Sequence, residues 1–352
     1  MSMGKGFTIT SNLDLGKQLR DSYSKAKSRR KLPDVQIVAI LNDTVATLIS
    51  FAHQVKVSPQ CKAAMGLIVG TGNNATIPLK LSTLNVGKRF KTDNVANGDV
   101  ISLEEKILVN TEWSINGTAG PLRELDLITR WDQSLDDAGI APGFQPFEYM
   151  TAGRYLGELG RLIIVDYLTT QLRIPEERLP AKLRERNGLT STFLGNLRPH
   201  QSHPHFNPST VEELSLEFPP NNENSEWHWT PEAAEAAFMI AKAIQVRAAG
   251  MTAAAIVGLL ICADELSLDA DNSIHRGYPL PWREELMVGY TGGTIVHFQD
   301  YLADCQGFLD DVMHSKFQGE PPLRVVLQPC EDGGIVGAGV LAATVQKSSH
   351  AA

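Results

Sequence analysis

Three apolar runs in this chain each stop on a polar cluster, and that pattern limits the folds open to it. The stretch VQIVAILNDTVATLISF (35–51) breaks at Asn42-Asp43, AAMGLIVGTGNNATIPLK (63–80) at Gly70 to Thr76, and EKILVNTEWSI (105–115) at Asn110-Thr111-Glu112. A buried strand has no use for side chains that want hydrogen bonds, whereas a ligand site at strand ends does. The β-branched content and spacing predict a strand over 35–41, a helix over 44–53, two strands around the 70–76 turn and a third strand over 105–115.

The rest of the chain continues the alternation. Residues 17–34 read as a basic helix and loop ended at Pro33, and 146–168 as one long helix with Pro146 in its first turn. Within that helix Gly153, Gly157 and Gly160 permit close packing. The Pro-, Asn- and His-rich stretch 198–231 reads mostly as a surface excursion, and 231–266 as Ala-rich helix. The segment LRVVLQPCEDGGIVGAGVLAATVQK (323–347) reads as strand, glycine loop and helix. Alternating strands and helices predict an α/β protein.

With 352 residues, two lobes are the natural expectation. A net charge of −8 argues against nucleic acid or an anionic membrane as a partner. Cys61, Cys262, Cys305 and Cys330 form no CxxC pair, which suggests reduced thiols. No leader-like apolar core stands at the N-terminus, and no run reaches about 18 uninterrupted apolar residues. The expectation is a soluble, cytoplasmic protein. His200, His203 and His205 lack regular ligand spacing, so they read as loop residues rather than a metal centre. Trp113, Trp131, Trp227, Trp229 and Trp282 read as packing residues.

Each polar cluster has two readings. Asn42-Asp43 either caps the helix that follows or holds a carboxylate at a cleft edge, where Asp43 can accept a proton from a hydroxyl. GTGNNAT (70–76) is either a hairpin turn or a place where backbone N–H groups approach a phosphate while Asn74 binds a sugar hydroxyl. CEDGGIVGAG is either a tight connection or an anion site at a helix start. Glu112 and Glu148 are either solvated or acceptors for neighbouring hydroxyls of a polyol.

Taken in order, VAILNDTVATLI, MGLIVGTGNNA, LVNTEWSINGTAGPL and FQPFEYMTAGRYLGELGRLIIVDYL resemble the hexokinase family, most closely its fungal members. Weaker matches follow in RAAGMTAAAIVGLLICADEL, GYTGGTIVHFQDY and EDGGIVGAG. The resemblance implies an actin-like ATPase (ribonuclease H-like) fold with two lobes around a sugar-binding cleft. It implies that 1–43 are a remnant of the small lobe, 44–334 the large lobe and 335–352 a C-terminal helix returning to the small lobe. It implies ATP-dependent phosphorylation of the 6-hydroxyl of glucose or a related hexose, feeding glycolysis, in a monomer or homodimer. Asp43 would be the general base, and Thr10, Asn42, Asn74, Glu112 and Glu148 would hold the sugar with it. ATP contacts would fall on Gly70, Thr71 and Gly72, on the Gly292-Gly293-Thr294 turn, and on Gly333, Gly334 and Gly337, with Mg2+ carried by ATP rather than by protein ligands.

The chain also departs from the family pattern. The family's early glycine-rich phosphate hairpin has no counterpart, so the small lobe is expected to be incomplete. Thr10 in GKGFTITSN stands where the family has a sugar-binding Ser, Gly334 where a Ser is usual, and Ile335 and Val336 are expected to crowd the phosphate loop. The alternative these departures imply is a weakly active or inactive hexokinase-like protein that senses sugar and regulates other proteins.

Overall fold

The computed structural model describes residues 14–55, 61–88, 102–115, 118–197, 208–221, 227–267, 284–317, 321 and 323–350. The chain opens with α1 (Leu15–Arg29), α2 (Asp43–Gln54), the strands β1 (Cys61–Val69), β2 (Asn73–Lys80) and β3 (Lys106–Asn110), and α3 (Ala119–Glu124). It continues through α4 (Arg130–Asp137), α5 (Pro146–Thr151), α6 (Gly153–Thr170), α7 (Ala181–Arg184), α8 (Ser191–Asn196), α9 (Pro208–Glu217) and α10 (Pro231–Cys262). It closes with β4 (Glu284–Thr291), α11 (Gly293–His297), α12 (Tyr301–Lys316), β5 (Leu323–Pro329) and α13 (Gly333–His350).

The strands form one mixed sheet in the order β3-β2-β1-β4-β5. β1 pairs antiparallel with β2 across the short turn the sequence predicts, and β2 pairs antiparallel with β3, while β1–β4 and β4–β5 are parallel. Parallel neighbours need a crossover, and the crossovers supply the helices that cover the sheet. On one face, α2 packs on β1 and β2 and is itself covered by α13. Elsewhere α10 packs against α5, α6 and α12, its alanines letting neighbouring helices come close.

By length and composition α10 is apolar enough to cross a membrane, but 56% of its apolar window is buried inside the molecule. Its buried residues include Gln245 and Thr252, and the Thr252 hydroxyl is 2.7 Å from that of Tyr301 on α12. We therefore describe it as the central helix of the core. Gly157 and Gly160 serve the close packing expected of them: a Cβ at Gly157 would lie 2.5 Å from the Leu189 carbonyl oxygen, and one at Gly160 2.5 Å from Leu194.

Three expectations are corrected. Residues 35–41 form no strand; the chain there has no regular structure, with Val35 57% and Ile40 49% exposed. A β-branched run becomes a strand only where another strand offers its N–H and C=O groups, and no ladder in the described sheet includes this segment. The single helix over 146–168 is two, α5 and α6, broken at Ala152, whose φ of −103° and ψ of 144° are extended. The stretch 198–231 contains α9 and contributes to the core through Leu214, Phe218, Trp227 and Trp229, with the Trp229 indole N–H donating to the Phe218 carbonyl. His200, His203 and His205 lie outside the described residues, as does Trp282. The four cysteines are free thiols.

Asp132, 3% exposed, is clamped by both terminal nitrogens of Arg247 at 2.7 and 2.8 Å, which ties α4 to α10. Removing the guanidinium leaves a buried carboxylate short of its charge partner. Arg247→Met is expected to cost roughly 3 kcal/mol in a denaturant titration; a loss within experimental error would show the pair to be dispensable.

Candidate active site

The helix α2 begins where the apolar 35–41 run ends because Asn42 caps it: its side-chain oxygen accepts from the Thr44 N–H at 2.9 Å. Asp43 follows as the first helical residue, exposed, its own carboxylate accepting from the Thr44 N–H at 2.9 Å. Both readings of Asn42-Asp43 are thus compatible, since the cap is Asn42 and the Asp43 side chain is open to a ligand. Thr44 is fully buried, and its hydroxyl lies 2.7 Å from that of Thr76 on β2. That contact fixes the helix start against the sheet.

Thr76 faces Asn110 across the β2–β3 ladder. Two residues back on the same strand face, the Asn74 amide donates to the Asn110 side-chain oxygen at 2.8 Å and to Glu112 Oε1 at 3.3 Å. The Asn110 amide donates to the same Glu112 oxygen at 2.9 Å. Glu112 reaches this position through a left-handed backbone, φ 44°, which a residue with a Cβ adopts at a cost of about 1–2 kcal/mol. Its neighbours hold it there. The Thr111 N–H and hydroxyl donate to the Ala75 carbonyl at 3.0 and 2.8 Å, and the Trp113 indole N–H donates to the Asn73 carbonyl at 3.1 Å.

Glu148 stands in the first turn of α5, only 2% exposed. The Asn73 backbone N–H donates to its Oε2 at 3.5 Å, and the Asn73 side-chain amide donates to the Thr151 hydroxyl at 2.9 Å. Tyr155 stands near the Glu148 carboxylate, close enough to feel its charge. Burial first, and then the Glu148 charge, push the Tyr155 phenol up to about 12.

Beside this polar belt lies a cleft of roughly 600 Å³ lined by Gly70 and Thr71, Gly153 and Arg154, Ser191, Thr192, Gly195 and Asn196 of α8, and both ends of α11. The Gly70 carbonyl knots it together, accepting from the Gly153 N–H and the Thr294 hydroxyl at 2.8 Å each. Glycine is required at 292, where φ is +118° and a Cβ would fall 2.3 Å from the Val69 carbonyl oxygen. At 153 a Cβ would meet the Thr294 hydroxyl at 2.3 Å.

The expected residues separate into groups. Asn42, Asn74 and Glu112 belong to the belt, which the Thr44–Thr76 contact joins, with Asp43 exposed at its edge and Glu148 bonded to its Asn73 end. Gly70, Thr71, Gly293 and Thr294 line the cleft, and the Gly72 carbonyl closes its turn by accepting from the Gly70 N–H. Gly333 and Gly337 lie where α13 crosses α2, a Cβ on Gly337 meeting the Ala46 carbonyl oxygen at 1.9 Å. Gly334 has open space around it, and Ile335, 78% exposed, points to solvent rather than crowding a loop. Thr10 lies outside the described residues. Sequence reading missed Thr44, Thr76, Asn73 and Tyr155 of the belt and Arg154, Thr192 and Asn196 of the cleft. Only Asn73 and Thr76, inside the GTGNNAT cluster, carried a local signal.

Comparison with known proteins bears on this geometry. A family model described as Hexokinase matches residues 64–344, and a second with the same description matches residues 1–53. The chain is 37% identical over 175 residues to a hexokinase of Schistosoma mansoni, covering 49% of this chain and 34% of that protein. It is 33% identical over 193 residues to Hexokinase HKDC1 of Homo sapiens, covering 55% and 18%. The chain thus spans about a third or less of these curated relatives. A solved structure of a Schistosoma mansoni hexokinase complexed with glucose superposes with a TM-score of 0.71 at 26% identity, covering 97% of this chain and 65% of that one. A further hexokinase crystal structure, 22% identical with a TM-score of 0.65 over 97% and 63% of the two chains, shares the fold. The fold is the actin-like ATPase fold expected from the sequence.

A phenol held above its ordinary value keeps its proton longer in the folded chain than in the unfolded one. Folding is therefore favoured below about 10, and that contribution is lost as pH rises towards about 12. The difference in phenolate absorbance between the wild type and Tyr155→Phe is expected to rise near 12, and to move downward in a Glu148→Gln background. A midpoint unmoved by Glu148→Gln would show that burial alone sets it.

Proposed function

The chain belongs to the hexokinase family, and from that premise we propose that it transfers the γ-phosphoryl group of ATP to the 6-hydroxyl of glucose or a related hexose. The observation that carries this reading is the break at Ala152. It puts Glu148, an acceptor bonded to the polar belt, five and six residues before Gly153 and Arg154, which line the glycine-walled cleft. A sugar on the belt and a polyphosphate in the cleft would then be neighbours.

In this reading Asn74, Glu112 and Glu148 accept and donate hydrogen bonds to the ring hydroxyls, with Asn42 fixing the start of α2. The Asp43 carboxylate takes the proton of the 6-hydroxyl as that oxygen attacks the γ-phosphorus, and ADP departs with the electrons of the broken P–O bond. The cleft residues fit a nucleotide: Gly293 lines the cleft with open space around it, at the start of α11, where a phosphate oxygen can approach the backbone. Mg2+ would come with the phosphates, whose charge it would neutralise when bound. Positioning and charge stabilisation carry most of such a reaction, so a rigid belt matters more than a strong base. The relative in complex with glucose supports the choice of sugar.

Asp43→Asn is expected to lower the rate of hexose 6-phosphate formation by about 10²–10⁴-fold while leaving glucose affinity nearly unchanged. Glu112→Gln and Glu148→Gln are expected instead to weaken glucose binding by about tenfold or more. A coupled assay and a glucose titration on the three variants separate the roles. Full turnover in Asp43→Asn would remove Asp43 as the base, and unchanged affinity in both Glu variants would remove the belt as the sugar site.

A further inference from the structure

A second cavity, of about 370 Å³, opens on the other side of the first turn of α6. Its lining is apolar at Leu135 and Leu189 and aromatic at Tyr149 and Tyr155, whose rings meet edge to face with centroids 4.8 Å apart. Two guanidinium side chains, Arg154 and Arg186, are exposed on its wall. The carboxylate that faces them in the lining, Glu158, is already engaged: Arg161 binds it through Nε at 2.8 Å and Nη2 at 2.6 Å, and the Asn187 N–H donates to it as well. Among the described residues neither Arg154 nor Arg186 has a carboxylate partner. A chain with a net charge of −8 therefore concentrates positive charge here, over an aromatic wall.

Surface arginines usually sit in water with acidic neighbours. Two of them sharing one cavity with no free acid opposite is the arrangement that recognises a dianion, because planar guanidinium groups pair with phosphate oxygens two at a time. The Arg154 guanidinium also lies 6.0 Å from the centre of the Tyr155 ring, which steadies it at the cavity mouth.

We propose that this cavity binds a phosphate monoester carried on a flat ring, with Arg154 and Arg186 on the phosphate and Tyr149, Tyr155 and Leu189 against the ring. The site is separate from the proposed nucleotide cleft and does not rest on the phosphoryl-transfer reading. It shares one wall with the cleft: the Arg154 N–H donates to the Thr71 carbonyl at 3.3 Å and the Gly153 N–H to that of Gly70 at 2.8 Å. It approaches the belt at Tyr155, whose phenol feels the Glu148 charge.

The test is a calorimetric titration of phenyl phosphate into the wild type, Arg186→Gln and Arg186→Lys, with and without a saturating non-hydrolysable ATP analogue. Arg186 touches neither the belt nor the cleft and is exposed, so thermal melting should show both variants folded. The wild type is expected to bind phenyl phosphate more tightly than inorganic phosphate, Arg186→Gln about tenfold or more weakly, with partial recovery in Arg186→Lys. The site should persist when the analogue is bound. Equal affinity in wild type and Arg186→Gln, no binding to the wild type, no gain over inorganic phosphate, or complete displacement by the analogue would each overturn the proposal. Absence of analogue binding would count against the nucleotide cleft instead, leaving the Arg186 comparison intact.

Discussion

The carbonyl oxygen of Gly70 accepts two hydrogen bonds, one from the Gly153 N–H and one from the Thr294 hydroxyl, and the arrangement around the cleft depends on them. They join the β1–β2 turn, the start of α6 and the start of α11, three segments far apart in the chain. Each approach needs a position without a side chain. A Cβ at Gly153 or Gly292 would fall 2.3 Å from an oxygen of a neighbouring segment. Small residues here are therefore a condition of assembly.

Behind the knot, the belt shows how a polar site survives beside a hydrophobic core. Asn73, Asn74, Thr76 and Thr44 are buried or half-buried, and each spends hydrogen bonds on the next element rather than on water. A buried amide or hydroxyl that lost its partner would cost about 1–3 kcal/mol, so the network specifies one arrangement strongly. Glu112 adds local strain to that arrangement, in the left-handed region, and the Thr111 and Trp113 bonds on either side hold it. Asp43 is the contrast. It is exposed, and its carboxylate accepts from the neighbouring Thr44 N–H.

Much of this was legible beforehand, for physical reasons that can be named. β-branched content and spacing located β1, β2, β3 and α2, while α10 was legible from its alanines and α13 from the glycine loop before it. Asn42 announced the start of α2 because a helix end needs a partner for its free N–H groups. The strand over 35–41 misled for the complementary reason: β-branched residues suit a strand, but pairing belongs to a neighbour that local sequence does not describe. The α5–α6 break was hidden inside a continuous helical pattern. It is stabilised by what surrounds it, the Gly70 and Thr71 carbonyls that receive the Gly153 and Arg154 N–H groups.

By itself, then, the sequence determined the family, the α/β class, the turn glycines and the polar strand ends, because these follow from local backbone preference and from ordered motifs. Only the tertiary structure decided which of those residues meet. It gathered Asn74 with Asn110 and Glu112, gave Gly337 to a helix crossing rather than to the cleft, and brought Arg154 beside both cavities. Contacts between segments a hundred residues apart depend on how the sheet and its crossovers pack, and no local preference encodes that.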